Sequence, residues 1–426
     1  MAAKEIITGL DIGTSKTCAL IAQKSEEDLI EIIGVGIYPS SGLRKGIVVD
    51  IDDTVNTIQQ AVKDAEHMAG MKISSVFVGI AGAHITSMVN QGIVTVTGED
   101  GEISEADIDR VIEASRMFSL PPEREIIHVL PREFIVDDQE GIKDPLGMSG
   151  GRLRVESNII TGSRTSIHNL VKSVHRVGLD VEALVLQPLA AGEAVLSEDE
   201  KELGTIVVDI GGGTTDLAIF QNGNIIYSKV LPVGGDHVTN DIAVGLRTPF
   251  RNAEKIKIEY GLAMTGVVDQ QEDIEVLNAS GKGHRLVPRH YLCEIIEPRL
   301  VELFELVKRE IEENGFDDIM PTGVVLTGGS SLLEGTLELA STVLGLPARL
   351  GSPDRVTGLV DYIDGEVYNL SGERLKVNPA IFSTGVGLIK YGYQTSTGTM
   401  VVEEEKKKST YSEFFQRLTR WFKEFF

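Results

Sequence analysis

The chain has 426 residues, 42% of them apolar and 24% charged, a balance typical of soluble globular proteins and a length that suggests roughly two to four compact units. A formal net charge of −24 excludes general nucleic-acid binding, which needs a basic surface to displace phosphate counterions. Cys18 and Cys293 show no metal-type spacing, and there is neither a signal peptide nor a run of roughly 18 apolar residues, so a cytoplasmic protein in a reducing compartment is expected.

From the N-terminus, residues 6–10 (IITGL) read as a buried strand, residues 11–17 (DIGTSKT) as a tight turn, and 17–23 and 29–38 as two more strands. Residues 52–70 place Val55, Ile58, Val62, Ala65 and Met68 at helical spacing and stop at Gly70. From about 84 to 162 the character changes. Short polar strands, a helix over 104–118 opened by the capping pair Ser104 and Asp107, and a loop rich in Gly and Asp at 137–151 mark an inserted subdomain. A helix over 163–177 ends at Gly178.

Residues 205–230 then repeat the opening pattern: TIVVD, IGGGTTD, LAIFQ, an Asn222-Gly223 hairpin turn and NIIYSKV. The two patterns, 198 residues apart, predict an internally duplicated α/β architecture. Helices over 237–246, 252–265 and 289–314 make residues 235–319 a second, mostly helical insertion. Another helix is expected over 330–344, and residues 392–410 read as a flexible linker without apolar periodicity.

The chemistry concentrates in the glycine-rich turns. Gly13, Thr14, Ser15 and Lys16 follow Asp11, and Gly211, Gly212, Gly213, Thr214 and Thr215 follow Asp209. Glycine lets backbone approach a ligand, and successive N–H groups with hydroxyls donate to phosphate oxygens. A carboxylate at the head of a loop repels phosphate but holds Mg²⁺ through water, because Mg²⁺ keeps much of its hydration shell. One such loop reads equally well as a hairpin turn; two at matching positions are hard to dismiss. Neither GxxxxGK[ST] nor a strand-to-helix GxGxxG occurs, which disfavours P-loop and dinucleotide-binding folds. A third turn, Gly328, Gly329 and Ser330, follows a buried strand, and its bare backbone would admit a flat adenine ring; ordinary turn chemistry remains the alternative.

These motifs together resemble the actin/Hsp70/sugar-kinase superfamily. Residues 8–17 and 207–217 match its two phosphate motifs, and 323–335 its adenosine motif. Residues 187–195 (QPLAAGEAV) and 378–391 (NPAIFSTGVGLIKY) match its two connecting helices. The resemblance implies an α/β, actin-like duplicated fold with ribonuclease H-like halves, two inserted subdomains and a C-terminal amphipathic helix. The implied division is 1–83 with 163–196 and 379–391 as the first half, 84–162 as its insertion, 197–234 with 320–378 as the second half, and 235–319 as the second insertion. By position in the motifs, Gln187 would orient an attacking water beside Asp11 and Asp209. Glu254 and Lys257 would close over adenosine, although Ile258 stands where an arginine is usual.

Residues 412–426 follow the linker, which runs to 411, and carry Phe414, Phe415, Leu418, Trp421, Phe422, Phe425 and Phe426 on one helical stripe. Arg417, Arg420 and Lys423 lie on the other face. From Lys406 onward there are six basic and two acidic residues in a chain of net charge −24, a reversal that suits a peripheral anchor on anionic lipid. Docking on the protein's own core or on a partner is the competing reading.

With the segments 42–50 (GLRKGIVVD), 76–84 (VFVGIAGAH), 160–163 (ITGS) and 245–248 (GLRT), the chain resembles the FtsA family of bacterial cell-division proteins. That resemblance implies binding of ATP and Mg²⁺, actin-like protofilaments, and tethering of FtsZ at the division site on the cytoplasmic face of the membrane. The FtsZ C-terminal peptide would dock on the second insertion, other division proteins would join, and ATP hydrolysis would be at most slow. The alternatives weighed are a pilus-assembly actin homologue, a small-molecule kinase of the same fold and an Hsp70-like chaperone. A kinase would need a substrate base, for which no separate candidate exists, and a chaperone a long domain after residue 391.

Overall fold

Two meanders of the same connectivity organise the chain in this computed structural model, which describes residues 5–25, 29–268, 272–279, 281–316, 322–359 and 378–396. The first is β1 (Ile6–Ile12), β2 (Lys16–Lys24) and β3 (Ile30–Pro39). After a two-residue ladder, β4 (Leu43–Arg44) with β5 (Ile47–Val48), come α1 (Ile51–Ala69) and β6 (Ser75–Ile80). Asp50 caps α1 at its N-terminus, and Gly70 ends it in the left-handed region at φ 67°.

The first insertion comprises β7 (Thr86–Thr95), α2 (Glu105–Arg116), β8 (Arg124–Val136), β9 (Gln139–Ile142) and β10 (Arg152–Ser163). Its strands are long rather than short: β7, β8 and β10 hold 10, 13 and 12 residues. They form a four-stranded sheet in the order β7-β10-β8-β9. β7 buries Gly92 alone, so no burial period marks its length in the sequence, while β10 buries one continuous face with Leu153, Val155 and Ile159. Ser104 and Asp107 form the expected capping box on α2.

The chain returns through α3 (Arg164–Val177), β11 (Asp180–Leu186), α4 (Gln187–Val195) and α5 (Glu198–Leu203). The second half then begins with β12 (Thr205–Ile210), β13 (Thr215–Gln221) and β14 (Asn224–Leu231). Asn222 and Gly223, at φ 54° and 83°, form the left-handed turn between β13 and β14. The second insertion holds α6 (Gly235–Gly245), α7 (Phe250–Tyr260), the hairpin β15 (Asp273–Leu277) with β16 (His284–Pro288), and α8 (Arg289–Glu313). That hairpin lies in a segment expected to be mostly helical; on β16 Val287 alone is buried, so no alternation marks it.

The half closes with β17 (Val324–Thr327), α9 (Thr336–Leu344) and β18 (Ala348–Leu350). The helix expected over 330–344 is split, a 3₁₀ turn at Gly329–Leu332 followed by α9, because Gly335 between them adopts φ 80°. The short strand β19 (Val356–Thr357) joins the first sheet beside β3, and α10 (Ser383–Ser396) follows a 3₁₀ turn at Pro379–Phe382. The helix runs five residues into the segment expected to be linker, since Tyr391 and Tyr393 are buried and hold it down.

The duplication is explicit in the sheets. One runs β11-β6-β1-β2-β3-β19 and the other β18-β17-β12-β13-β14. In each, the meander is antiparallel and the two further strands join parallel to its first. The insertions leave the core at different points: the first follows β6, the second follows β14 directly. Between the halves, α4 packs against α10, with Ala190, Ala191, Ala194, Val386 and Leu388 buried. Cys18 and Cys293 are buried free thiols.

Candidate functional site

The two expected loops occupy equivalent places, each the turn between the first two strands of a meander. Both close with the same bond: Gly13 N donates to Lys16 O at 2.9 Å, and Gly211 N to Thr214 O at 3.0 Å. The loops meet face to face. A Cβ on Gly212 would fall 1.6 Å from Ser15 Oγ, and one on Gly213 2.6 Å from Thr14 Oγ1, so neither position has room for a side chain. Thr14 Oγ1 also accepts from Gly46 N at 3.3 Å. Thr215 turns away, its hydroxyl donating to Val233 O at 2.8 Å.

Asp11 and Asp209 sit at the ends of β1 and β12, and each is held by the N-terminal part of a connecting helix. Gln187 Nε2, at the start of α4, donates to Asp11 Oδ1 at 2.9 Å. Thr384 Oγ1, at the start of α10, donates to Asp209 Oδ2 at 3.0 Å. Gln187 thus stands beside Asp11 as expected, and Thr384 is its counterpart in the second half, which sequence reading did not single out.

A third carboxylate also went unassigned. Asp216 lies opposite Asp209 in the β12–β13 ladder and is buried, and its Oδ1 has no hydrogen-bond partner among the described residues. Burial pushes its carboxyl well above the usual range, and Asp209 and Asp11 push it further. Burial raises Asp11 to about 6, with Lys16 opposing and Asp209 adding. Burial likewise raises Asp209, against the Thr384 hydrogen bond and Lys16. Uncompensated buried carboxylates are costly, and hard oxygen donors are what Mg²⁺ prefers. No three candidate ligands converge tightly enough to hold a metal alone among the described residues. The unpartnered Asp216 Oδ1, opposite Asp209, adds an oxygen of the kind that would suit Mg²⁺. Lys16 reaches across to donate to Ile381 O, with its ammonium 5.6 Å from the Phe382 ring centre.

The third turn closes the floor. Gly328 adopts φ 83°, and a Cβ there would lie 2.2 Å from Asp209 Oδ1. Gly329 is open on its free side, and Ser330 Oγ donates to Gly211 O at 3.3 Å. Glu254 and Lys257 form an ion pair of 2.7 Å on α7. Lys257 Nζ also donates to Thr239 Oγ1 at 2.9 Å and to Gly235 O at 3.2 Å. The pair is thus tied to the first turn of α6, which touches the second loop through Gly235 N donating to Gly211 O at 2.9 Å. Asp236 on the same turn accepts from Ser15 Oγ at 3.4 Å across the two halves; the adjacent Gly234-Gly235 was the only sequence signal for it.

Residues 412–426, and the expected linker from 397 onward, lie outside the described residues. No helix long and apolar enough to cross a membrane occurs among the described residues.

Comparison with known proteins gives the lineage of this arrangement. The family model "Cell division protein FtsA" matches residues 206–387, and "SHS2 domain inserted in FTSA" matches residues 82–161. The Cell division protein FtsA of Pseudomonas aeruginosa is 43% identical over 421 residues, covering 98% of this chain and 97% of that one. Among solved structures, the PilM-PilN type IV pilus biogenesis complex aligns with TM-score 0.64 at 19% identity, covering 91% of this chain and 98% of that chain. MreB 5 of Spiroplasma citri bound to AMPPNP aligns with TM-score 0.53 at 14% identity, covering 92% and 97%. The structural likenesses establish the actin-like fold, and the near-complete sequence match goes further: this chain belongs to the FtsA family of cell division proteins.

Proposed function

We propose that this protein binds ATP with Mg²⁺ between its two halves, polymerises as an actin-like protofilament, and tethers FtsZ filaments to the cytoplasmic face of the membrane at the division site. The observation that carries the reading is the pair of equivalent loops meeting across the cleft, each headed by a carboxylate held by its own connecting helix. Backbone N–H groups and the hydroxyls of Thr14, Ser15 and Thr214 would hold phosphates, and Asp11 and Asp209 would hold Mg²⁺ through water, which supplies positive charge between the carboxylates and the phosphates. The bare backbone of Gly328 and Gly329 would take adenine, with Glu254 and Lys257 beside it. The AMPPNP-bound neighbour of the same fold supports the ligand class.

Gln187 would orient a water, and hydrolysis is at most slow. Nucleotide acts chiefly as a conformational ligand, favouring whichever arrangement of the halves it binds better. FtsZ contact belongs to the second insertion, and lipid contact to residues 412–426. Calorimetry with Mg-ATP tests the cleft. Asp209→Ala removes the metal's charge partner and is expected to weaken binding at least tenfold, of the order expected when one partner of a buried charge contact is lost. An affinity unchanged from wild type refutes the assigned cleft.

A further inference from the structure

β11 is the outermost strand of the first sheet, and no further strand pairs with its free edge among the described residues. Its last residue, Leu186, is also the N-cap of α4, which has no side-chain cap. The Leu186 N–H is nevertheless satisfied: His128 Nε2 accepts it at 3.0 Å. His128 comes from β8, in the inserted sheet, and is 1% exposed. Its ring stands edge-on to Tyr391 of α10, with centres 6.2 Å apart.

The histidine is an expensive choice for that space. An accepting Nε2 puts the proton of the neutral imidazole on Nδ1, and Nδ1 has no hydrogen-bond partner among the described residues. Burial holds the ring's pKa down to about 4, so it is neutral and able to accept at pH 7. An apolar residue of similar volume would avoid both the desolvation and the unpaired N–H. What it could not do is accept the Leu186 N–H.

The residue after Leu186 is Gln187, whose side chain ends on Asp11. Gly79 on the neighbouring strand leaves just enough room for that side chain, since a Cβ there would lie 3.0 Å from Gln187 Cγ. We propose that His128 is a positioning residue for the nucleotide cleft: by holding the backbone N–H of Leu186 it sets the Leu186–Gln187 corner and keeps Gln187 on Asp11. The inserted sheet is thereby coupled to the phosphate end of the cleft through one hydrogen bond. Arg124 makes the base of that sheet rigid enough to transmit the constraint, donating to His84 O at 3.1 Å and Thr161 O at 2.9 Å where the chain enters and leaves the insertion.

The proposal rests on the nucleotide reading above, and Mg-ATP affinity in the full-length chain tests it. His128→Phe keeps the volume and removes the acceptor; His128→Asn is polar but too short to reach Leu186; His128→Gln can place an amide oxygen near the Nε2 position. The first two are expected to weaken Mg-ATP binding about tenfold, toward the low end of couplings between sites, and the third to stay within about twofold of wild type. In a Gln187→Ala background, His128→Phe should have no further effect, because both act through one side chain. Should His128→Phe fail to fold, His128→Asn against His128→Gln carries the same comparison. The proposal is overturned if Phe and Asn variants bind as wild type does, if Gln is as weak as Phe, or if the His128 and Gln187 effects add in full. Wild-type protein that binds no Mg-ATP refutes the nucleotide reading and the proposal with it, whereas wild-type binding with unaffected variants refutes the role of His128 alone.

Discussion

Replacing Gly387 with alanine puts a methyl group where the two connecting helices touch. A Cβ at this position on α10 would lie 1.7 Å from the carbonyl oxygen of Ala190 on α4, 2.3 Å from its carbonyl carbon and 2.9 Å from its Cα. Real Cβ atoms essentially never come closer than 3.0 Å to such atoms, so the helices must part by 1.3 Å or more. The added Cβ is fixed by its own backbone and the atoms it meets are all backbone, so no side chain can swing aside. Overpacking of this kind costs roughly 1–3 kcal/mol, and the full backbone clash argues for the upper end. Alanine returns up to ~1 kcal/mol through helix propensity. The net expectation is a loss of about 2 kcal/mol, seen as a melting midpoint lowered by roughly 2 °C in a chain of this length. Gly266→Ala is the control, since nothing lies within 4 Å of its added Cβ and its φ is not in the left-handed region. A Gly387→Ala melting midpoint at or above wild type would mean that the propensity gain went unopposed, and the close crossing of α4 and α10 would be refuted.

Stability should depend on pH through His128. Its folded pKa of about 4 lies below the ordinary 6.5, so between those values the unfolded chain binds the extra proton. Stability is then full above about pH 6.5 and falls by up to about 3 kcal/mol as pH drops toward 4. Urea titrations at several pH values, comparing wild type with His128→Gln, check this; parallel profiles contradict it. Deleting residues 412–426 should leave Mg-ATP affinity intact and abolish pelleting with anionic liposomes, and unchanged pelleting would remove the anchor from the proposal. A labelled FtsZ C-terminal peptide should gain anisotropy on addition of the protein. No change at high protein concentration would remove FtsZ tethering from the proposal.

Local features were legible where the physics is local. The Gly70 stop of α1, the Ser104–Asp107 box and the Asn222-Gly223 turn each depend on a few neighbouring residues. The duplication was legible because two meanders with glycine-rich turns need the same residue types at the same spacing. Strands of the second half such as Ile206, Val207 and Val208 are buried on both faces and stand out as unbroken apolar runs. The β15–β16 hairpin stayed hidden because β16 buries Val287 alone, and the length of β7 because that strand buries Gly92 alone, so neither carries a burial period.

The sequence by itself determined that two carboxylate-headed loops exist and that the fold is duplicated, since both follow from spacing along one segment. Tertiary structure alone decided that Asp216 joins Asp11 and Asp209, that Thr384 mirrors Gln187, and that Asp236 reaches Ser15 from the other half. It also decided that a histidine in an inserted sheet holds the corner next to Gln187. Apart from Asp209 and Asp216, neighbours on one hairpin, those pairings join residues from 58 to 221 positions apart, and a side chain's partner at that distance is set by how sheets and helices stack, which no short pattern along the chain encodes.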